Sequence, residues 1–288
     1  MSKTRWKAFA HADRKYDYDG DRLKKSWPRL HQGDREPFPE AGGLRKLVAQ
    51  CAEFAPEKSA AKASLEGAVE QLLDAWRAYH RGDFGTAIEL GVALGPLGYG
   101  VANKAANIYA TYLESSKDAK LALFLESSRR AEFVFTRART VVNAWYFYAQ
   151  ALGRYGQGIS VTKALAQGLG GKIKNALEET IRLEPRHADA HIALGAYHAE
   201  VIAKVGSTLG ALTYGASKEA ALKHFETALE LNPHSAIARI EYANGLAMLS
   251  GKAGLERATA LYEEAARCDA ADAMERLDAE LARDELTG

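Results

Sequence analysis

The sequence predicts an all-α protein built from consecutive helical hairpins. Alanine, the best helix former, is the most frequent of the 288 residues, whereas proline, the strongest helix breaker, occurs only 7 times. From Leu44 onward, apolar residues recur at helical spacing along the chain. A pattern of small and aromatic residues also occurs more than once. Hydrophobic residues make up 47% of the chain, which is enough to bury a core and excludes global disorder.

The charge balance and the cysteine content exclude several classes of protein. Lys and Arg number 38 against 37 Asp and Glu, and a net charge of +1 argues against non-specific nucleic-acid binding. Two cysteines, Cys51 and Cys268, are too few for a disulfide framework or a four-cysteine zinc site. The longest uncharged stretches are about 14 residues, shorter than the ~20 that a membrane span requires. With no signal-peptide pattern after the start, we expect a cytoplasmic protein.

The N-terminal region, residues 1–64, differs from the rest of the chain. It is polar, and we predict an extension with a short helix near 22–27 and a loop through Pro37 and Pro39. The helical pattern that begins at Leu44 is predicted to end at Pro56, where proline cannot continue a helix.

The residues before Pro233 form the clearest motif. Ala221, Phe225 and Ala228 precede this proline in the spacing A-x3-F-x2-A-x4-P. Small residues at two positions let a pair of helices approach closely, and the aromatic ring fills the gap beside them. The proline then ends the second helix. This spacing predicts a tightly packed helical hairpin.

A second motif follows Pro185. His191, Leu194, Gly195 and His198 match the spacing W-x2-L-G-x2-Y, with histidine at the two aromatic positions. Together the two motifs resemble the tetratricopeptide repeat (TPR), a helix–turn–helix unit of about 34 residues.

Weaker copies of the motif occur around Trp145 and Tyr242, so the resemblance covers residues 65–270. It implies a TPR-like α-solenoid of about five helical hairpins with extended insertions between helices. We expect the acidic stretch 271–288 to form a capping helix, because a solenoid needs a polar terminal element to stay soluble.

Two insertions lengthen the repeats between their paired helices. Residues 156–171 and 201–217 are apolar, glycine-rich and almost uncharged. Such insertions are similar to those of divergent TPR-like families, namely the regulator-of-microtubule-dynamics proteins and the T component of TRAP transporters. Because an exposed apolar loop is unfavourable, we expect the two insertions to pack on one another or on a ligand.

The TPR resemblance implies that the first helices of successive repeats line a concave groove. Its lining mixes aromatic, aliphatic and charged side chains, and the places of the Lys/Asn/Arg carboxylate clamp of some TPR domains hold Tyr, Ile and Ala. An apolar or amphipathic segment is therefore the expected occupant, although Ile and Ala at these positions also fit tight packing within a narrow superhelix. The predicted groove residues are Trp76, Tyr79, Tyr146, Gln150, Arg154, Asp189, Ile192, Glu200, Ile237, Glu241, Asn244 and Met248.

No motif in the sequence predicts catalysis, a cofactor or a metal site. Residues 168–172 lack the first glycine, the hydroxyl and the preceding strand of a P-loop, and residues 17–21 lack the closing glutamate of a calcium loop. His187, His191 and His198 lie on one helical stripe and could bind zinc, but two of them occupy packing positions of the repeat.

The leading hypothesis is therefore a non-enzymatic scaffold that binds a peptide or protein segment in the groove. The alternative is a small hydrophobic ligand in a pocket closed by the insertions. That pocket would lie near Val161, Leu165, Val205, Leu209 and Leu212.

Overall fold

The computed structural model of the chain describes residues 6–55 and 64–287. Within those ranges all regular secondary structure is helical, so the predicted all-α class is confirmed. The helix end predicted at Pro56 lies outside the described residues. None of the described helices combines the length and the apolar character that a membrane crossing requires.

The chain forms two compact units. The first comprises Met1–Trp27 and Glu36–Ala164, and the second comprises Pro28–Arg35 and Leu165–Gly288. This division differs from the expected one, in which residues 65–270 formed one superhelix behind a separate extension. Each unit contains part of the N-terminal region, because residues 6–39 pack on the helices that follow them in the chain.

The described helices have the following bounds: α1 Arg22–Leu30, α2 Ala41–Gln50, α3 Leu65–His80, α4 Phe84–Ala93, α5 Tyr99–Tyr112, α6 Lys117–Arg137, α7 Val142–Gly158, α8 Val161–Ala166, α9 Leu169–Leu183, α10 Ala188–Val205, α11 Ser207–Tyr214, α12 Lys218–Leu231, α13 Ala236–Ser250, α14 Leu255–Ala266 and α15 Ala273–Thr287. Helices α2 to α7 belong to the first unit and α9 to α15 to the second, while α1 and α8 each cross a boundary.

Helices α3 and α4 of the first unit begin with side-chain caps. Ser64 accepts a hydrogen bond from the Gly67 amide, and Asp83 accepts one from the Thr86 amide. Such caps satisfy amides that have no partner within the helix. Between α3 and α4, Gly82 has a φ of +90°, a conformation that favours glycine, and the ring of Phe9 fills the space where a side chain would lie.

Successive helices of the first unit pack in order from α3 to α7. Each contacts the next, and α5 also contacts α3 and α7. Alanines allow this crowding, since Ala102, Ala105 and Ala106 on α5 are fully buried. The arrangement is that of stacked hairpins in which α3, α5 and α7 lie side by side.

The second unit shows the same stacking around Phe225. Helix α10 packs on α12 and α13, and α13 packs on α14 and α15. The buried ring of Phe225 stacks on Tyr242 at 5.2 Å between ring centres. A Cβ atom placed on Gly195 or Gly245 would lie within 2.8 Å of this ring, so both glycines leave room for it. The ring thus fills the gap that the motif predicted.

Helix α15 packs on the end of the second unit. Ala282 joins a buried cluster with Ala236, Ile240 and Ala265, whereas Asp284 and Glu285 are exposed. One side of the helix is therefore apolar and its last turn is acidic.

We predict that Phe225→Ala lowers the free energy of unfolding by about 3–5 kcal/mol, because neither glycine can fill the cavity that the ring leaves. Urea denaturation followed by circular dichroism measures this change. The matched control is Leu212→Ala, an exposed position that we expect to change stability by less than about 0.5 kcal/mol. Equal losses for the two variants would contradict the role given to the ring.

Candidate binding surface

Helices α3, α5 and α7 form one surface of the first unit, which we call the A face. Of the predicted groove residues on it, Trp76 and Tyr79 on α3 are 1% and 0% exposed, and Tyr146 on α7 is also buried. Gln150 and Arg154 are half-buried. The expectation of an open groove at these residues is not met in the first unit, because Trp76 packs against Trp27, and Tyr79 packs against Phe84 and Lys104.

An indole covers the start of the A face. Trp27 meets Trp76 edge to face at 5.5 Å between ring centres and meets His80 at 6.2 Å. Its indole Nε1 donates a hydrogen bond to the carbonyl oxygen of Glu36 at 2.7 Å, so its one polar atom is paired. Phe38 packs against the same indole at 5.1 Å.

A tyrosine of the same N-terminal region holds a second point on α3. Tyr18 lies edge to face on His80 at 5.7 Å, and its carbonyl oxygen accepts a hydrogen bond from Arg77 Nε at 3.2 Å. Tyr16 and Leu23 are each 1% exposed. Tyr16, Tyr18, Leu23 and Trp27 are thus buried in the first unit, whereas most residues between them are exposed, and the sequence had predicted a polar extension.

A carboxylate covers the middle of the A face. Asn143 on α7 donates a short hydrogen bond from its side chain to the carboxylate of Glu36. On the α5 side, a Cβ atom placed on Gly100 would lie 3.8 Å from the other carboxylate oxygen. Glu36 therefore lies near both helices, and its charge is partly compensated by the amide of Asn143.

Helix α5 is unusually polar for a helix in the middle of a stack. Asn103, Lys104 and Asn107 are all at most 5% exposed. Arg130 donates to Asn103 at 2.8 Å, and Asn107 donates to Gln150 at 2.8 Å. These bonds pair the side-chain oxygen of Asn103 and the side-chain nitrogen of Asn107 with neighbouring helices, whereas the buried Oδ1 of Asn107 has no hydrogen-bond partner among the described residues.

Aromatic rings accommodate the buried lysine of α5. Lys104 Nζ lies 5.3 Å from the ring centre of Tyr79 and 5.9 Å from that of Trp76. A cation at this distance from aromatic rings is stabilised by their π electrons. The A face thus combines aromatic rings, amides and a cation, which suits an occupant with aromatic and acidic side chains.

Residues 28–35 lie on the helices of the second unit in a similar way. The amide of Asp189 donates to the carbonyl oxygen of Gly33 at 3.1 Å, and Gln32 donates to the carbonyl oxygen of Leu231 at 3.0 Å. Arg29 forms a bidentate pair with Glu275. Asp189, a predicted groove residue, is therefore covered by the chain itself.

Ile192 is a core residue of the second unit. It is 6% exposed and clusters with Ala228 and Ala238, with Leu229 and Ile237 packed against them. This is the tight packing that the sequence also allows at this position, as an alternative to a place in a groove.

Of the remaining predicted groove residues of the second unit, four are half-buried and Met248 is exposed. The four are Glu200, Ile237, Glu241 and Asn244. Glu200 pairs with Lys204 at 2.6 Å, and Asn244 accepts a hydrogen bond from the Tyr262 hydroxyl at 2.6 Å. Met248 on α13 is 48% exposed, and Glu241 lies two turns before it. Met248 is therefore the most accessible of the predicted residues.

The leucines of the insertions do not enclose a pocket. The insertions fold into the short helices α8 and α11, and Leu165, Leu209 and Leu212 are 49%, 52% and 82% exposed. Val205 is half-buried, and the side chain of Val161 lies outside the described residues. The described part of this predicted pocket is thus open to solvent.

Three histidines meet between α10 and α12, one of which the sequence analysis missed. Nδ1 of His191 lies 2.8 Å from Nδ1 of His224, and the rings of His198 and His224 are parallel at 5.9 Å between centres. Burial, together with the nearby charges of His191, His198 and Lys223, lowers the pKa of His224 to about 4. The described residues contain no group of three or more side chains suited to hold a metal ion.

We predict that acid destabilises the fold through His224. The pKa of His224 in the folded chain lies below the value of about 6.5 in the unfolded chain. The contribution of His224 to the free energy of unfolding is therefore fully present above pH 6.5 and is lost as the pH falls toward 4. Allowing for solvent screening, we expect the free energy of unfolding to fall by roughly 1–2 kcal/mol between pH 7 and pH 5. His224→Gln should reduce this difference, and the exposed control His234→Gln should not, as measured by urea denaturation at both pH values. The same pH dependence in both variants would count against His224.

Comparison with known proteins supports the fold. No family model matches the chain, and no curated protein matches it. Among solved structures, the crystal structure of TTC0263, a thermophilic TPR protein of Thermus thermophilus, is similar with 16% sequence identity and a TM-score of 0.54. The match covers 75% of this chain and 98% of that one. The chain therefore has a TPR-like fold of stacked helical hairpins.

Proposed function

We propose that this protein is a non-enzymatic interaction scaffold that binds a peptide or protein segment on its A face. The observation that carries the proposal is that this face already holds a polypeptide segment, residues 16–27 and 36–39 of the same chain. The contacts are made by an indole, a carboxylate and a backbone carbonyl group of the segment. A separate peptide that carries a tryptophan and an acidic residue has the same groups.

The rigidity of the A face favours binding. Trp76 is fixed by the edge of Tyr79 at 5.5 Å and by Lys104, and Asn107 is fixed by Gln150. A surface whose side chains are already ordered loses little conformational entropy when a partner binds. The stacked hairpins thus act as a preformed support for the binding groups.

The chemistry of the face selects its partner. Aromatic rings at one end take an aromatic side chain, and the amide of Asn143 takes a carboxylate at the other. An amphipathic segment with both groups fits better than a purely apolar one, because it also pairs the buried polar atoms. The exposed leucines of α11 give no comparable support to the hypothesis of a small hydrophobic ligand.

A selection from a peptide-display library on the full chain tests the proposal. We expect enriched peptides to carry an aromatic and an acidic residue, and to bind Asn143→Ala about ten-fold more weakly than the unchanged chain, because a charge-assisted hydrogen bond is lost. The matched control is Asn175→Ala, at an exposed position of the second unit.

Thermal melts are used to check that both variants remain folded. The proposal fails if no peptide is enriched, or if the enriched peptides bind folded Asn143→Ala and Asn175→Ala equally well.

A further inference from the structure

We infer that residues 16–27 and 36–39 form a displaceable latch that competes with the partner for the A face. The inference rests on the proposed function, since a competitor requires a partner that uses the same surface. It adds a form of regulation: the chain binds its partner only when the latch leaves, and the latch resembles the partner in chemistry.

The latch uses the same groups that a separate segment would use. Trp27 and Tyr18 rest on Trp76 and His80, and Glu36 reaches Asn143. These contacts join parts of the chain that are distant in sequence. Each one is made by a side chain or a carbonyl oxygen of the latch and can be replaced by the same group of another molecule.

The hairpins of the A face contact one another directly. Helices α3 to α7 contact one another in sequence, and their buried alanines lie between the helices. Among the described helices, α1 packs closely along none of the others. It is held by side chains, so its release leaves the contacts between the hairpins in place.

Helix α1 also has low intrinsic stability. It has only 9 residues, contains Pro28, and exposes Lys24 and Lys25. Isolated helices shorter than ~12–15 residues are marginal in water. Leu23 and Trp27 are its buried side chains within the latch, whereas Arg29 pairs with Glu275 in the second unit, so removal of the indole takes away one of the two apolar anchors of α1 in the first unit.

The latch lowers the apparent affinity for any partner by the fraction of molecules in which it is open. If about 1% of the molecules are open, the apparent dissociation constant is about 100-fold higher than the intrinsic one. A substitution that removes the indole anchor raises the open fraction and therefore the affinity, even though it changes no residue of the A face.

A peptide supplied in trans tests this inference. The probe is a fluorescein-labelled synthetic peptide of residues 14–40 of this chain, and its binding to the full-length protein is measured by fluorescence anisotropy. We expect Trp27→Ala to bind the probe at least about ten-fold more tightly than the unchanged chain. Adding Asn143→Ala should remove most of this binding. The control Lys25→Ala, at an exposed position of the same helix, should bind like the unchanged chain.

The outcomes separate the latch from the proposed function. If the unchanged chain and Trp27→Ala bind the probe equally, and both depend on Asn143, the A face binds peptides but the latch is disproved. If folded Trp27→Ala does not bind the probe while library peptides still bind through Asn143, the latch is again disproved and the function stands. If no peptide depends on Asn143, both proposals fail.

Hydrogen exchange of the unchanged chain provides a test that needs no variant. A displaceable latch opens locally, so we expect the amides of α1 to exchange at least about 100-fold faster than those of α5. Exchange of both helices at the same slow rate would show that the segment leaves only on global unfolding, and would overturn the inference.

Discussion

The close approach of neighbouring helices is the constraint on which the rest of this structure depends. In the second unit, Gly195 and Gly245 leave the space that the ring of Phe225 fills. In the first, a Cβ atom on Gly98 would lie 2.2 Å from the carbonyl oxygen of Gly91, so α4 and the turn before α5 touch backbone to backbone. Because the hairpins are held through these small residues, the larger side chains of α3, α5 and α7 are available to bind another segment.

The sequence predicted the hairpins well because their signals are local. Helical spacing, the prolines at 185 and 233 and the A-x3-F-x2-A motif are all signals carried within a single repeat of the sequence. The packing of the glycine-rich insertions on one another was predicted in part, since a Cβ atom on Gly170 of the first would lie 3.2 Å from the ring of Tyr214 of the second, while α8 and α11 leave their leucines exposed. Nothing within a glycine-rich stretch indicates whether its apolar side chains will find a partner.

The candidate site could be predicted only in part, because its other half comes from a distant segment. The pattern predicted that Trp76 and Tyr79 line a groove, but it could not show that Trp27 packs on Trp76. In the sequence, Tyr18 and Trp27 stand among charged residues and look like part of a solvated extension. Aromatic residues in a region with no repeat of its own were the available signal, since they must be buried somewhere.

Asn143 of α7 sets the register of the segment on this face, and the polar side chains of α5 fix the helices around it. A purely apolar face would bind any apolar segment, and in more than one register, because apolar contacts are not directional. The carboxylate of Glu36 is bound only where the amide of Asn143 can donate to it, and Asn103 and Asn107 fix the helices on either side through Arg130 and Gln150. Buried polar groups of this kind lose free energy in any other alignment, because they would then lack partners. Under the proposed function, the same requirement that positions the chain's own segment limits which external segments bind in its place.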